Sequence, residues 1–250
     1  MRMESVWLYS LVSVFVISLI SIIGIFGLAI KAEKLKKILI YLISFSAGAL
    51  FGDVFIHLLP EISGAGFTLS YSLYIILGIL LFFSLEKFIH WRHCHMPITS
   101  HHIHPFAYMN LFGDSLHNFI DGLIIAASYI VSIPAGIATT IAVLLHEIPQ
   151  EIGDFGVLLY AGFSKGKAIL LNFLTALTAI LGAIIALLLN RVVNNIEIPL
   201  VCLAVGGFLY IAGSDLIPEL HKETSIRVSL IQIITFIIGV AVMALLLLLE

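Results

Sequence analysis

Two short stretches of this 250-residue chain concentrate side chains able to hold a cation. One is HNFIDG, His117–Gly122; the other is HEIPQEIGD, His146–Asp154. Asn110, Asp114, His117 with Asn118, and Asp121 recur at helical spacing, so one helix face carries them all. His146, Glu147, Gln150, Glu151 and Asp154 form a second such stripe. Imidazole combined with carboxylate and amide oxygens is a borderline ligand set. It suits zinc, iron, manganese or cadmium better than calcium or potassium. A lone histidine in an apolar helix is more often packed or hydrogen-bonded. Two, each with acids a step or a turn away, point to metal.

The elements that must position these residues are apolar. Residues of the hydrophobic classes make up 61% of the chain and charged residues only 11%. A soluble domain needs more charge to cover its surface, so the composition predicts an all-α integral membrane protein. A bilayer core about 30 Å thick takes roughly 20 apolar residues per helix. Eight spans are predicted, at 5–30, 37–60, 67–89, 106–131, 134–161, 168–190, 198–220 and 227–249, forming one transmembrane domain over 1–250. The first apolar run is long enough to be a retained span rather than a cleaved signal. Cys94 and Cys202 have neither zinc-type spacing nor the look of a disulfide framework.

Charge gives the orientation. Of the 12 Lys and Arg residues, only Arg2 and Arg191 fall on one side of the predicted spans. The others lie between spans 1 and 2, 3 and 4, 5 and 6, or 7 and 8. The excess of positive charge places those loops in the cytoplasm and both termini outside it. The expected home is the cell membrane. Depth then follows: at 1.5 Å per residue, His117 and His146 both lie about 17–18 Å from the starts of their spans. That is near the midplane.

Asp53, Asp114, Asp121, Glu147, Glu151, Asp154 and Asp215 fall within spans, with no Lys or Arg at comparable depth. An intramembrane carboxylate must pair, protonate or line a wet path. Here a passing cation is the reading its histidine and amide neighbours favour. Asp53 and His57 would form an entrance on span 2. Asn110, Asp114, Glu151 and Asp154, with Asp215 and Glu219 on span 7, would form an exit on the inner side. Pro149 removes a backbone donor in mid-span and frees the carbonyl of Leu145, so the helix should kink there. The loop after span 3 (91–105), with its flank, carries His90, His93, Cys94, His95, His101, His102 and His104. Such a tract can collect metal weakly without fixed geometry.

A weak internal repeat is also present. GALFGDVFIHLLPE (Gly48–Glu61) aligns without gaps with GGFLYIAGSDLIPE (Gly206–Glu219), sharing Gly48/Gly206, Leu58/Leu216, Pro60/Pro218 and Glu61/Glu219. Spans 2 and 7 run in opposite directions, so the repeat is inverted, as in transporters with a midplane site.

HNFIDG followed by HEIPQEIGDF resembles the fourth and fifth helices of the ZIP (Zrt/Irt-like) divalent-metal transporters. The branch it is most similar to carries HNF-x-DG and HEIPHE-x-GDF. The resemblance extends to the span-2 ending HLLPE and the histidine-rich loop. It implies a three-plus-two-plus-three arrangement, with spans 1–3 and 6–8 as inverted repeats around spans 4 and 5. It also implies a homodimer and an elevator-like movement of spans 1, 4, 5 and 6 against the rest. Carried over by position, His117, Asp121, His146 and Gln150 would surround one metal; Asn118 and Glu147 would serve a second. Position 150 is Gln where the family has His or Glu, and a neutral amide does not bridge two metals as a carboxylate does.

The implied function is import of divalent metal, zinc first and then iron, manganese or cadmium, by alternating access. The metal is cargo, and no catalytic cofactor or nucleic acid is expected. Two other classes of protein use similar residues. HEIPQ is similar to the HExxH of zinc proteases, but Gln150 stands where the second ligand His is needed, so no enzyme is expected. A proton-coupled metal exporter would use similar ligands, but with six spans and cytoplasmic termini.

Overall fold

The structure is a computed structural model and describes residues 3–23, 32–91, 105–193 and 196–249. Among these residues there is no strand, and the helices form eight rods. α1 is Met3–Ile20, closed by a 3₁₀ turn at Ser21–Ile23. α2 runs from Ala32–Gly52 through a π turn at Asp53–Leu58 into Leu59–Gly64. α3 is Leu69–Trp91, α4 Pro105–Val131 and α5 Ile133–Tyr160. α6 is Lys165–Ala176 and Thr178–Val192, parted at Leu177. α7 is Glu197–Tyr210, a π turn at Ile211–Leu216, and Ile217–His221; α8 is Ile226–Leu246, ending in a 3₁₀ turn at Leu247–Leu249.

Five rods have stretches long and apolar enough to cross a membrane: Ile38–Gly64, Leu69–Lys87, Lys165–Val192, Glu197–His221 and Ile226–Leu246. α4 and α5, at 27 and 28 residues, are as long, but their polar stripes dilute their hydropathy. The helix bounds fall within a few residues of the expected spans where both are described. The clearest difference is at Pro60, where the sequence ends span 2 but the helix continues to Gly64. A proline ring collides with the carbonyl four residues back, and the wider π turn just before it removes that collision. Pro218 follows a π turn in the same way.

Two connections fix the central hairpin. Only Ser132 separates α4 from α5; its side chain caps α5 by accepting from the Ala135 amide at 3.1 Å, with Pro134 in the first turn. At the far end Gly162, at φ +96°, turns the chain out of α5, and the Phe163 amide returns to the Leu158 carbonyl at 3.1 Å.

α4 and α5 form the centre, packed by α1, α2, α6 and α7, while α8 lies along α2 and α3 along α7. The last two contacts are close because glycines face backbone. A Cβ at Gly48 would lie 2.1 Å from the Phe236 carbonyl oxygen on α8, and one at Gly206 would lie 2.1 Å from that of Ile75 on α3. Such approaches build membrane helix pairs by dispersion and backbone contact rather than by the hydrophobic effect. α3 and α8 bury little of their apolar surface, 11% and 17% of their apolar windows.

Two structural features recur at a separation of 158 residues. The two π turns begin at Asp53 and Ile211, the offset that aligns Gly48 with Gly206. Ser18 Oγ donates to the Ala176 carbonyl at 2.8 Å, and these residues are themselves 158 apart.

Candidate metal centre

Four side chains from α4 and α5 converge: one ligand atom each from His117, Asp121, His146 and Glu147, all within 4.8 Å of one another. His117 Nε2 lies 3.3 Å from His146 Nε2, 3.6 Å from Asp121 Oδ2 and 3.6 Å from Glu147 Oε1. His146 Nε2 lies 3.3 Å from Asp121 Oδ2 and 3.5 Å from Glu147 Oε1. A tetrahedral zinc ion with bonds of about 2.0–2.1 Å separates its ligand atoms by roughly 3.3–3.4 Å. The five separations that involve a histidine nitrogen, 3.3–3.6 Å, are close to that value.

The chemistry of the donors agrees. Both carboxylate oxygens of Asp121 and of Glu147 are buried without a hydrogen-bond partner. Leaving four acceptor oxygens bare in a protein interior is costly unless a cation meets them. His146 Nδ1 lies 3.2 Å from the Ala142 carbonyl, which can only accept. Nδ1 therefore holds the proton, and Nε2 turns a lone pair to the cluster. Phe82 of α3 meets the His117 ring edge-on at a centroid distance of 5.5 Å, and Phe208 of α7 packs on His146 at 6.1 Å. Gly122 lets α6 close on this helix: a Cβ there would lie 1.9 Å from the Ala179 carbonyl oxygen.

Two of the four, His117 and His146, line a recess. A cavity of about 350 Å³ is lined by His117, His146, Pro149, Gln150, Asp154 and Asp215, among others. A smaller one of about 140 Å³ shares His117, Gln150, Asp154 and Asp215 and adds Asn110, Asp114, Glu86 and Tyr210. The shared lining makes them two lobes of one acidic space.

The other residues singled out by sequence fall in different places. Asn110, Asp114, Gln150, Asp154 and Asp215 line the recess. Asn118 is buried behind them, donating to Asp114 Oδ1 at 2.8 Å, with its own Oδ1 unpartnered. Asn110 donates to Asp154 Oδ1 at 3.0 Å. Glu151 is buried against α6, where Asn172 donates to it. Asp53 and His57 stand apart: both are buried, neither lines the recess, Asp53 Oδ2 accepts from Thr139 at 3.1 Å, and His57 Nε2 lies 2.9 Å from the Met243 carbonyl. Glu219 is exposed and paired with Lys222. His90 falls in α3; His93, Cys94, His95, His101, His102 and His104 lie outside the described residues.

Several residues at or near the site escaped the sequence reading. Glu86 accepts from Tyr210 across the recess, Asn172 holds Glu151, and Ser46 of α2 donates to the Leu145 carbonyl at 2.6 Å. Asn172 and Thr175, three apart and both buried in apolar α6, were a visible signal. Ser46 gave none, because a serine in an apolar helix commonly bonds its own preceding turn.

Comparison with known proteins identifies the family. The family model described as ZIP Zinc transporter matches residues 4–105 and 95–247. A zinc transporter ZIP13 of Pongo abelii is 39% identical over 220 residues, covering 82% of this chain and 65% of that protein. The ZIP13 of Danio rerio is 35% identical over 269 residues, covering 86% of this chain and 76% of its own length. Zinc transporter zipt-7.2 of Caenorhabditis elegans is 29% identical, covering 95% and 65%. The chain thus spans just under two thirds of some of these relatives. That family consists of transporters rather than enzymes, which removes the protease alternative. With the model matched along almost its whole length, the chain belongs to the ZIP zinc transporter family.

Proposed function

We propose that the protein imports divalent metal, zinc first, through the site formed by His117, Asp121, His146 and Glu147. The spacing of these four donors carries the reading. Two carboxylates neutralise a dication, and two imidazoles replace water ligands without adding charge, so the metal can leave water inside an apolar bundle. Gln150 borders the same space, and Asn118 and Glu147 would serve a second ion.

The recess supplies the way out. Its acids, Asp114, Asp154 and Asp215, can take up hydration-shell contacts as the metal leaves the donors. The basic loops on the side of Asp215 make that side cytoplasmic by the charge rule, which places both termini outside and makes this conformation the releasing one. Asp53 and His57 belong to the closed entrance. The architecture is eight spans, with α1–α3 and α6–α8 as inverted repeats around α4 and α5, in a single domain of a homodimer in the cell membrane. Counterpart π turns and the Ser18–Ala176 contact support the repeat. The histidine-rich loop gathers emerging metal outside the barrier.

Purified protein in liposomes, assayed for flux of zinc, iron, manganese and cadmium, tests the reading. His117→Ala combined with His146→Ala should abolish zinc uptake while the protein still inserts. Undiminished uptake by that double variant would sink the site assignment. Removing His93–His104 should leave initial uptake intact and lower only the number of metals bound.

A further inference from the structure

We infer that Ser46 is a positioning residue for the metal donors, acting through the carbonyl that Pro149 releases. The inference rests on the proposed metal site. Pro149 has no amide proton, so the Leu145 carbonyl loses its partner within α5. The helix continues through Pro149 all the same. Its missing bond comes from another rod: Ser46 Oγ of α2, fully buried, donates to that carbonyl at 2.6 Å.

The consequence lies one residue on. The Leu145 carbonyl belongs to the peptide that joins Leu145 to His146, and Glu147 follows. The carbonyl side of this peptide is bonded to α2 instead of to the next turn of α5, so the Ser46 hydroxyl helps fix the peptide from which His146 and Glu147 follow. Hydrogen bonds that orient ligands from outside the coordination sphere commonly tune affinity about 10–100-fold.

The other half of the molecule supplies the contrast. The residue 158 positions after Ser46 is Ala204, in α7, which packs against α4 as α2 packs against α5. Ala204 has no hydroxyl, and α4 has no proline after its first residue, Pro105. Where no carbonyl is released, no donor is supplied. Serine and proline occur as a pair, on one side only, beside the ligands.

The test is a double-mutant cycle on the purified, reconstituted chain, read as the zinc KM and maximal rate of uptake. Ser46→Ala should raise the zinc KM about tenfold. Pro149→Ala restores an amide proton to position 149 and so a partner to Leu145 within α5. In that background Ser46→Ala should change KM less than about twofold. A merely structural serine would act equally in both backgrounds, and that result, or no effect of Ser46→Ala with proline present, overturns the inference. If Pro149→Ala transports no zinc, the same cycle is read in the Tm of zinc-free protein. If Ser46→Ala alone does not fold, recovery of folded protein by adding Pro149→Ala carries the inference and failure to recover overturns it. Loss of uptake in the His117/His146 double variant alongside an additive cycle would refute the role of Ser46 and leave the metal site standing.

Discussion

Asp53–Leu58 in α2 and Ile211–Leu216 in α7 are built alike and situated differently. Both are π turns, both precede a proline, and both stand at the same place in the repeat. His57 is 4% exposed, its ring on the Met243 carbonyl, whereas its counterpart Asp215 is exposed and lines the recess below His117 and His146. The same local backbone is thus sealed at one end of the bundle and open at the other. Packing is alike at the two places, and access is not. In the proposed transporter this is what alternating access requires: two similar half-paths, of which one is open at a time.

The largest effect should come where the halves are alike. Gly48 and Gly206 each face a backbone carbonyl of a neighbouring helix that cannot retreat. Gly48→Ala and Gly206→Ala should each lower stability by about 3 kcal/mol or more, and by similar amounts. Denaturant unfolding in detergent measures it. If only one is destabilised, the packing symmetry is local rather than general.

Access should break the symmetry. With Cys94 and Cys202 replaced, Asp215→Cys should react with a water-soluble maleimide about tenfold faster than His57→Cys. Equal rates would mean that the burial of His57 is not a closed gate. A condition that reversed the order would isolate the opposite conformation.

Gln150 sharpens the comparison at the point where the open half meets the site. Lining both lobes with His117, it presents a weak amide where a stronger ligand fits. Gln150→His should tighten zinc binding about tenfold and slow its release. Calorimetry showing unchanged affinity would remove Gln150 from the metal's surroundings.

Much of this was legible in the residues. Acids and histidines at one-step and one-turn spacing marked the α4 and α5 stripes, and those stripes meet at the tetrad. Pro149 announced a free carbonyl at Leu145, but its partner Ser46 lies 99 residues away in a helix whose packing is set by glycine contacts. The sequence cannot rank Ser46 above Ser18, which bonds Val14 within its own helix as well as reaching Ala176. Pro60 looked like a helix end because the compensating π turn has no residue signature. The difference between His57 and Asp215 is a property of the conformation, and both residue types suit either state.

Glu219 gives the smallest expected effect. Sequence grouped it with Asp215 on the inner path, since both fall at the inner end of span 7 as repeat partners of Glu61 and His57. The structure separates them: Asp215 borders the recess, whereas Glu219 is 48% exposed in its side chain and pairs with Lys222. An exposed pair within one helix turn contributes about 0.5 kcal/mol or less, and salt screens it. On the proposed path a metal leaving the donors would meet Asp154 and Asp215, which line the recess, so the field drawing it outward would not depend on Glu219. Glu219→Gln should therefore leave zinc uptake within about twofold of the parent, with an unchanged KM, while Asp215→Asn slows it. A Glu219→Gln variant as impaired as Asp215→Asn would extend the path to the helix end and make the recess deeper than its lining indicates.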